Sequence, residues 1–293
     1  MIICQWWHIR DNNLLIIILI KFLRYKMKST LLWIATVLFT IVIAYYQKTT
    51  GPTYPVRGTV NLIEQEIKFK LLRSYNSGID MPISFEAADP NIIGQIKFKR
   101  FKSHDDWTIK SLKRDGILLS TTMPSQPPAG KLIYEVYLGT NLENLKSLTK
   151  EPVIARYKGA VPAYFLIPHI FFMFLAMLFA SRTGVEAIID GPKIATQTQM
   201  TVLFLFIGGI ILGPIVQKFA FGAFWTGWPF GYDLTDNKTL IAMIFWVIAF
   251  WRTRKDSISR FWPITAAIVL LAIYLIPHSV LGSEIDYTKL PNQ

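Results

Sequence analysis

Apolar residues in this chain collect in five runs that polar segments separate. The runs lie at residues 31–46, 161–180, 201–220, 239–251 and 262–281. A helix needs roughly 20 mostly apolar residues to cross the hydrocarbon core of a bilayer. We therefore predict a polytopic α-helical membrane protein with about five transmembrane helices, of which the fourth is short.

Between the first and second runs, apolar and polar residues alternate instead. Period-two alternation is typical of strands with one buried face. It occurs in residues 65–71, 95–101 and 132–138, and turn signals such as Asn76-Ser-Gly separate these segments. About seven short strands in residues 48–160 predict an inserted immunoglobulin-like β-sandwich domain. Within it, we interpret His104-Asp-Asp106 as a turn rather than a metal site.

Basic residues beside the runs predict the orientation of the chain. Short loops rich in Lys and Arg stay on the cytoplasmic side of a membrane. Such clusters precede the first run and separate the fourth from the fifth, at residues 21–28 and 252–260. The prediction is a protein of the cytoplasmic (inner) membrane with its N-terminus inside. The β-domain, the loop 218–238 and the tail 283–293 then lie outside.

The first 26 residues have two interpretations. Residues 1–26 are a basic extension whose apolar run is too short to span a bilayer, and Met27 opens a cleaner membrane segment. The extension is either a start-site artefact or a genuine cytoplasmic or interfacial segment. In both cases we expect residues 27–47 to form an uncleaved first transmembrane helix, and residues 161–282 to form a four-helix membrane domain.

Composition supports a membrane protein and excludes several other classes. Hydrophobic residues make up 52% of the chain and charged residues 17%, against about 25% charged in ordinary soluble domains. The net charge of +12 resides in the extramembrane domain and in the flanks of the runs, so we expect no nucleic-acid partner. The single cysteine, Cys4, excludes an internal disulfide and a C-x-x-C-H haem attachment.

Two histidines lie inside predicted helices, each directly after a proline. They are His169 and His278, and both fall in the outer leaflet of the predicted topology. Ionisable residues at membrane depth are functional candidates, and a neutral imidazole is a competent ligand of a metal or of haem iron. The alternative is two unrelated histidines that hydrogen-bond to neighbouring helices.

The outer loop 218–238, which we call the aromatic loop, carries aromatic residues interleaved with glycines. It includes Trp225, Trp228, Phe230 and Tyr232. Such a segment suits a platform for a flat apolar ligand, although an ordinary aromatic belt at the membrane interface has similar residues. Two carboxylates, Asp233 and Asp236, end the loop.

The order of these features resembles the haem-handling proteins of cytochrome c assembly. That family has a tryptophan-rich outer loop, W-G-x-x-W-x-W-D, between two external histidines that ligate haem. In residues 161–287, Asp233 takes the aspartate position, Gly227 matches the glycine, and His169 and His278 resemble the two histidines. Phe230 and Tyr232 stand where the family has tryptophans. Asp236 keeps the family's spacing at the next helix.

The resemblance implies non-covalent haem b held at the outer face by His169 and His278 under the aromatic loop. Two alternatives remain open. One is a non-catalytic accessory subunit whose β-domain binds a protein partner. The other is a metal-dependent membrane enzyme that uses His278 with carboxylates at positions 233, 284 and 286. The β-domain has no recognisable catalytic constellation, so enzymatic activity is the less expected outcome.

Overall fold

Five apolar helices form the helical part of the protein in a computed structural model that describes residues 28–63, 65–254, 259–276 and 282–289. The first four are long and apolar enough to cross a membrane, and the fifth is a shorter apolar helix of 15 residues. The helices are α1 (Lys28–Thr50), α2 (Ala163–Ile188), α3 (Ile194–Phe221), α4 (Leu234–Thr253) and α5 (Phe261–Leu275). Each of them overlaps one predicted run. The extension 1–26 lies outside the described residues.

Several helix ends differ from the predicted runs; α3, for example, begins at Ile194 rather than at residue 201. The last helix was expected to reach residue 281, but α5 ends at Leu275, and Ile276 has an extended backbone. The residue before a proline is pushed out of the helical region, and Pro277 follows. In the other direction, α2 continues past its predicted end at residue 180 to Ile188, which draws a polar segment into the bundle.

The third helix contains one widened turn, a π-helical segment at Phe206–Leu212. Here the Gly213 N–H donates to the carbonyl of Gly208, five residues earlier. The next residue, Pro214, has no N–H and its ring crowds the carbonyl one turn back, which explains why the regular ladder stops. The widened turn leaves the Gly208 carbonyl accessible to a second donor.

Small residues let the helices approach closely around α2. A Cβ on Gly184 would lie 2.8 Å from the Cβ of Ala267, so α2 and α5 nearly touch. The core between the helices also contains Trp246, whose side chain is fully buried. Close packing of this kind is the main source of helix association in membranes.

Residues 56–158 form a β-rich region of eleven strands, more than the seven predicted. The strands are β1 (Val56–Leu62), β2 (Gln65–Leu71), β3 (Ser74–Asn76), β4 (Met81–Glu86), β5 (Ile93–Arg100), β6 (Thr108–Ser111), β7 (Lys113–Asp115), β8 (Leu118–Met123), β9 (Lys131–Gly139), β10 (Lys146–Ser147) and β11 (Val153–Lys158). The largest sheet has the order β3-β11-β9-β5-β6, with β10 paired to β9. Smaller sheets are β1-β2 and β4-β8-β7. All pairs are antiparallel except β3 with β11.

The alternation seen in the sequence accounts for the core of this region. In β2, Ile67, Phe69 and Leu71 are buried while the residues between them face outward. The three sheets contribute to one hydrophobic cluster. The predicted turn at Asn76-Ser-Gly is confirmed by Gly78, whose φ of 83° is favourable only for glycine. The immunoglobulin-like topology remains a prediction.

The β-rich region joins the helices near the end of α3. Directly after β11, the Gly159 N–H donates to the Ala220 carbonyl over 2.9 Å. On the other side, the Ile285 N–H of the tail donates to the Ala129 carbonyl over 3.2 Å. The strands, the end of α3 and the described tail therefore meet at one place, which also contains the aromatic loop.

Candidate functional site

The two carboxylates of the aromatic loop are buried at the start of α4. Asp233 is the N-cap residue, and its Oδ1 accepts the Thr235 N–H over 2.8 Å. Its Oδ2 accepts the Ser283 N–H over 2.7 Å and the Ser283 hydroxyl over 2.6 Å. This aspartate thus joins the helix to the tail, 50 residues away in the chain.

Asp236 fixes the aromatic loop by accepting hydrogen bonds from the loop backbone. Its Oδ2 accepts the backbone N–H of Thr226 over 2.6 Å and that of Gly227 over 3.1 Å. The same oxygen accepts the side-chain amide of Gln217, on α3, over 2.9 Å. The Thr226 hydroxyl lies between the two carboxylates, 3.1 Å from Asp233 Oδ2 and 3.3 Å from Asp236 Oδ2. We call Gln217, Thr226, Asp233, Asp236 and Ser283 the outer network.

The electrostatics of the outer network favour a charged Asp233. Burial alone disfavours the carboxylate, but hydrogen bonds from Ser283, Thr235 and Thr226 outweigh burial and lower the pKa of Asp233. Nearby, burial lowers the pKa of Arg156. The negative charges of Asp233 and Glu284 partly oppose this shift. Arg156 donates to the Gly282 carbonyl over 3.1 Å, so it also fixes the tail.

Two glycines let the aromatic loop fold back on α4. A Cβ on Gly227 would lie 2.7 Å from the Cβ of Asp236, and a Cβ on Gly231 would clash with the Thr226 carbonyl. The Trp228 N–H donates to Asn237 Oδ1 over 2.7 Å. The loop backbone is therefore fixed by the first turn of the helix that follows it.

The aromatic rings of the loop point away from this network. The exposed fraction is 67% for Trp228, 82% for Phe230 and 94% for Tyr232. Phe224 is also exposed. Trp225 is half-buried, and its indole N–H donates to the Trp228 carbonyl over 3.0 Å. We call Phe224, Trp228, Phe230 and Tyr232 the aromatic patch.

His169, the first predicted ligand, lies between α2 and α3. Its Nδ1 is 2.8 Å from the Gly208 carbonyl oxygen, at the widened turn of α3. Since a carbonyl only accepts, this contact assigns the proton to Nδ1 and leaves Nε2 as the acceptor nitrogen. His278, the second predicted ligand, lies outside the described residues.

A small cavity lies within the bundle near Met173, one turn inward from His169 on α2. The lining residues are Gln47, Met173, Leu205, Thr235, Lys238, Thr239, Ala242, Leu270, Ile273 and Tyr274. Lys238 donates to the Ile276 carbonyl over 3.1 Å, and Gln47 donates to that of Tyr274 over 3.2 Å, so the end of α5 is fixed here. The aromatic patch is not part of this lining.

The carboxylates that a metal site would need are occupied by other partners. Glu284 forms ion pairs with Lys102 and Lys131. Asp286 accepts the Thr288 N–H over 3.1 Å. In the part of the chain that the structure describes, no three His, Cys, Asp or Glu residues are grouped to hold a metal ion. In His104-Asp-Asp106, which lies in an irregular segment after Ser103, Asp105 is paired to Arg100 at 2.7 Å, and the turn interpretation remains a prediction.

Sequence reasoning missed a second polar region, in the half of the bundle that contains the α2–α3 turn. Arg182 and Glu186 form an ion pair there with both side chains 1% exposed. These residues follow the predicted end of the second apolar run, so the sequence pattern indicated the exposed polar end of a helix rather than a buried ion pair. Their spacing of four residues was the available signal, because residues i and i+4 share one helix face.

Comparisons with known proteins add no relative. No protein-family model matches this chain, and no curated protein matches it either.

Proposed function

We propose that this chain is a non-catalytic accessory subunit located in the cytoplasmic membrane. It presents a preformed protein-binding surface on the extracytoplasmic side. In this proposal the helices anchor the chain with its N-terminus inside. The β-rich region, the aromatic loop and the tail form the extracytoplasmic body. The bilayer and one protein partner are its binding partners.

The observation that carries the proposal is the contrast between a fixed backbone and exposed rings in the aromatic loop. Asp236 and Asn237 hold the loop, while Phe230 and Tyr232 remain 82% and 94% exposed. Binding to a fixed loop avoids the entropic cost of ordering it. Exposed aromatic residues on such a loop have the composition of binding hot spots.

Charge beside the patch indicates the chemistry of the partner. The ammonium group of Lys218 lies 5.5 Å from the centre of the Phe224 ring, and its side chain is exposed. Lys158 is exposed just before the Gly159–Ala220 contact. We expect an extracytoplasmic protein surface with an apolar centre and acidic residues around it, because complementary charges steer association.

The proposal is tested by the size of the native complex. Mild detergent extracts of the wild type should contain the chain in a complex larger than the chain itself. Phe230→Ala combined with Tyr232→Ala should release it, whereas Leu142→Ala, an exposed apolar position in the β-rich region, should not. The proposal is contradicted if the wild-type chain migrates at the mass of the isolated chain, or if the double variant stays in the complex.

A second candidate function is haem binding between His169 and His278. The observation that favours it is the hydrogen bond from His169 Nδ1 to Gly208, which orients the ring and leaves Nε2 for iron. Haem b would supply a six-coordinate iron suited to electron transfer or storage. The fit is partial: His278 lies outside the described residues, and the rings expected to cover the haem are exposed.

An absorption spectrum distinguishes this candidate from the first. The full chain is purified from cells grown with ample haem, beside His169→Ala, His278→Ala and the control His104→Ala. Bis-histidine haem predicts a Soret band and sharp reduced α and β bands that weaken in the first two variants only. A colourless protein that takes up no added haemin rejects haem binding.

A further inference from the structure

The inner half of the bundle contains buried polar side chains whose hydrogen-bonding groups are not satisfied by the described residues. We call this group the inner cluster. Its members are Ser181, Arg182, Glu186, Gln197, Thr198 and Trp246. Buried polar groups without partners are rare in native proteins because each loses its hydration without compensation. The cluster therefore requires a physical explanation.

Arg182 and Glu186 neutralise each other but do not satisfy the guanidinium. Arg182 Nη2 lies 2.6 Å from Glu186 Oε2, and Glu186 Oε1 accepts the Lys193 N–H over 3.2 Å. The Arg182 Nε and Nη1 groups have no acceptor within the described ranges. The guanidinium carbon also lies 5.5 Å from the centre of the Trp33 ring on α1, so a ring face covers the group while two of its cationic donors lack a hydrogen-bond acceptor.

The register of α2 against α3 places Gln197 near this pair. The hydroxyls of Thr183 and Thr201 are 3.4 Å apart and set the antiparallel register of α2 and α3. One turn further toward the connecting turn, that register places Gln197 next to Glu186. The Gln197 side chain is 3% exposed, and neither its amide nitrogen nor its oxygen has a partner among the residues described.

Trp246 adds a donor from α4 at the same depth. A Cβ on Gly209 would lie 2.8 Å from Thr239 Cγ2, which sets the register of α3 against α4. Two turns inward, Trp246 is level with Val202 and hence with the Thr183–Thr201 contact. Its indole N–H is buried and has no acceptor in the described part of the chain.

Most of these unsatisfied groups are donors. The guanidinium, the indole and the amide nitrogen can only donate, and the amide oxygen of Gln197 is the single obligate acceptor beside the paired carboxylate of Glu186. The missing partner is therefore rich in acceptors. An oxyanion fits, because arginine recognises phosphate and carboxylate groups through several parallel hydrogen bonds.

The charge of the surrounding surface supports an anion. Lys193 and Arg252 are exposed at the ends of α3 and α4 on this side of the bundle. Arg260 lies there too, 3.5 Å from Asp190. Basic groups at the mouth of a low-dielectric region raise the local concentration of anions.

We propose that the inner cluster binds a phosphate-type oxyanion between α2 and α3, with Arg182 and Gln197 as donors and the indole of Trp246, on α4, as a third donor. The oxyanion belongs either to the headgroup of an anionic phospholipid of the inner leaflet or to free phosphate. This site is separate from the aromatic patch and does not depend on the function proposed for it.

The test measures anion-dependent stabilisation of the full-length protein in lipid nanodiscs. One arm compares phosphatidylcholine discs with discs that also contain phosphatidylglycerol, and the other adds inorganic phosphate to phosphatidylcholine discs. The variants are Gln197→Leu and Trp246→Phe. The control Trp251→Phe makes the same change on the same helix, at an exposed position. Thermal unfolding midpoints give the apparent affinity, because a ligand of the folded state raises the midpoint.

We expect the wild type and the Trp251→Phe control to be stabilised in one arm. The affinity should fall about tenfold in each cluster variant, since each loses one charge-assisted hydrogen bond. A response to phosphatidylglycerol identifies a lipid headgroup, and a response to phosphate identifies a free anion. The proposal is overturned if the wild type responds in neither arm, or if Gln197→Leu responds as the wild type does.

Discussion

The outer network and the inner cluster are both buried polar groups, but they differ in how they are satisfied. At the start of α4, Asp233 and Asp236 accept several hydrogen bonds from Ser283, Thr226 and Gly227. In the inner half, Arg182, Gln197 and Trp246 retain donors without acceptors in the described residues. The carboxylates of the outer network find hydrogen-bond donors within the chain, whereas several donors of the inner cluster find no acceptor among the described residues.

This difference separates a structural role from a binding role. A satisfied network stabilises one geometry, here that of the aromatic loop, and its carboxylates are not free for a metal or an imidazole. An incomplete cluster is destabilising unless something else fills it. Asp233 and Asp236, which end the aromatic loop, thus fix backbone geometry, while the unpredicted Arg182–Glu186 ion pair retains unsatisfied donors.

Removing the main acceptor of the outer network should have the largest effect. Asp236→Ala leaves the Thr226 and Gly227 N–H groups buried without a partner, so we expect a loss of about 3 kcal/mol or more in unfolding free energy. Faster hydrogen exchange in the aromatic loop should accompany the loss. Asp106→Ala removes an exposed carboxylate and serves as the control. Equal stability of the two variants would contradict a structural role for Asp236.

One isosteric substitution made in both regions sharpens the comparison. Thr226→Val removes a hydroxyl that contacts both carboxylates, and we expect it to cost about 2 kcal/mol. Thr198→Val removes a buried hydroxyl without a described partner, and we expect no loss, or a gain, when no ligand is present. Denaturant unfolding in phosphate-free phosphatidylcholine discs measures both. A larger loss for Thr198→Val would reverse the assignment of the two regions.

A substitution that disturbs the close contact between the aromatic loop and α4 should lower the free energy of unfolding by a smaller amount. Gly227→Ala places a methyl group 2.7 Å from Asp236 Cβ, and we expect a loss of about 1.5 kcal/mol. Gly213→Ala is the matched control, because its nearest neighbours would be 3.5 Å and 3.8 Å away. Thermal unfolding compares the two. A neutral Gly227→Ala would mean that the loop does not rest on α4.

The attachment of the tail should depend weakly on pH. Burial opposes ionisation of Glu284, but its bonds to Lys102 and Lys131 outweigh burial and lower its pKa from the ordinary 4.5. The pairing therefore stabilises the fold fully above pH 4.5 and is lost as the pH falls toward the lowered value. We expect less than about 1 kcal/mol, because the pair is partly exposed.

Hydrogen exchange at Ile285 and Thr288, measured from pH 6 to pH 3.5, reports this loosening. The variant Glu284→Gln should show the same low protection factor, the ratio of the intrinsic to the observed exchange rate, at every pH. An identical pH profile in the wild type and the variant would exclude Glu284 as the titrating group.

Local patterns were sufficient to predict much of the fold. Apolar runs identified all five helices, and alternation identified strands such as β2 and β9, because each depends on which face is buried. The proline at position 277 carried the signal that α5 ends early, but the apolar residues beyond it outweighed that signal in the prediction.

The candidate site depended on contacts that no local pattern contains. Asp233 and Ser283 meet across 50 residues, and the partners of Asp236 include Gln217 on another helix. The polar segment after residue 180 was misjudged for the same reason: its burial comes from α1, α3 and α5 packing around it. Ligation by His169 and His278 remains a prediction.

The most direct test of the central claim is photocross-linking in living cells from a photoreactive residue at position 230, in the wild type and in His169→Ala. We predict a discrete protein adduct of the same mass in both, because the patch is a protein-binding surface held by Asp236 and Asn237. Cross-links to lipid alone, or an adduct that disappears with His169→Ala, would contradict the account.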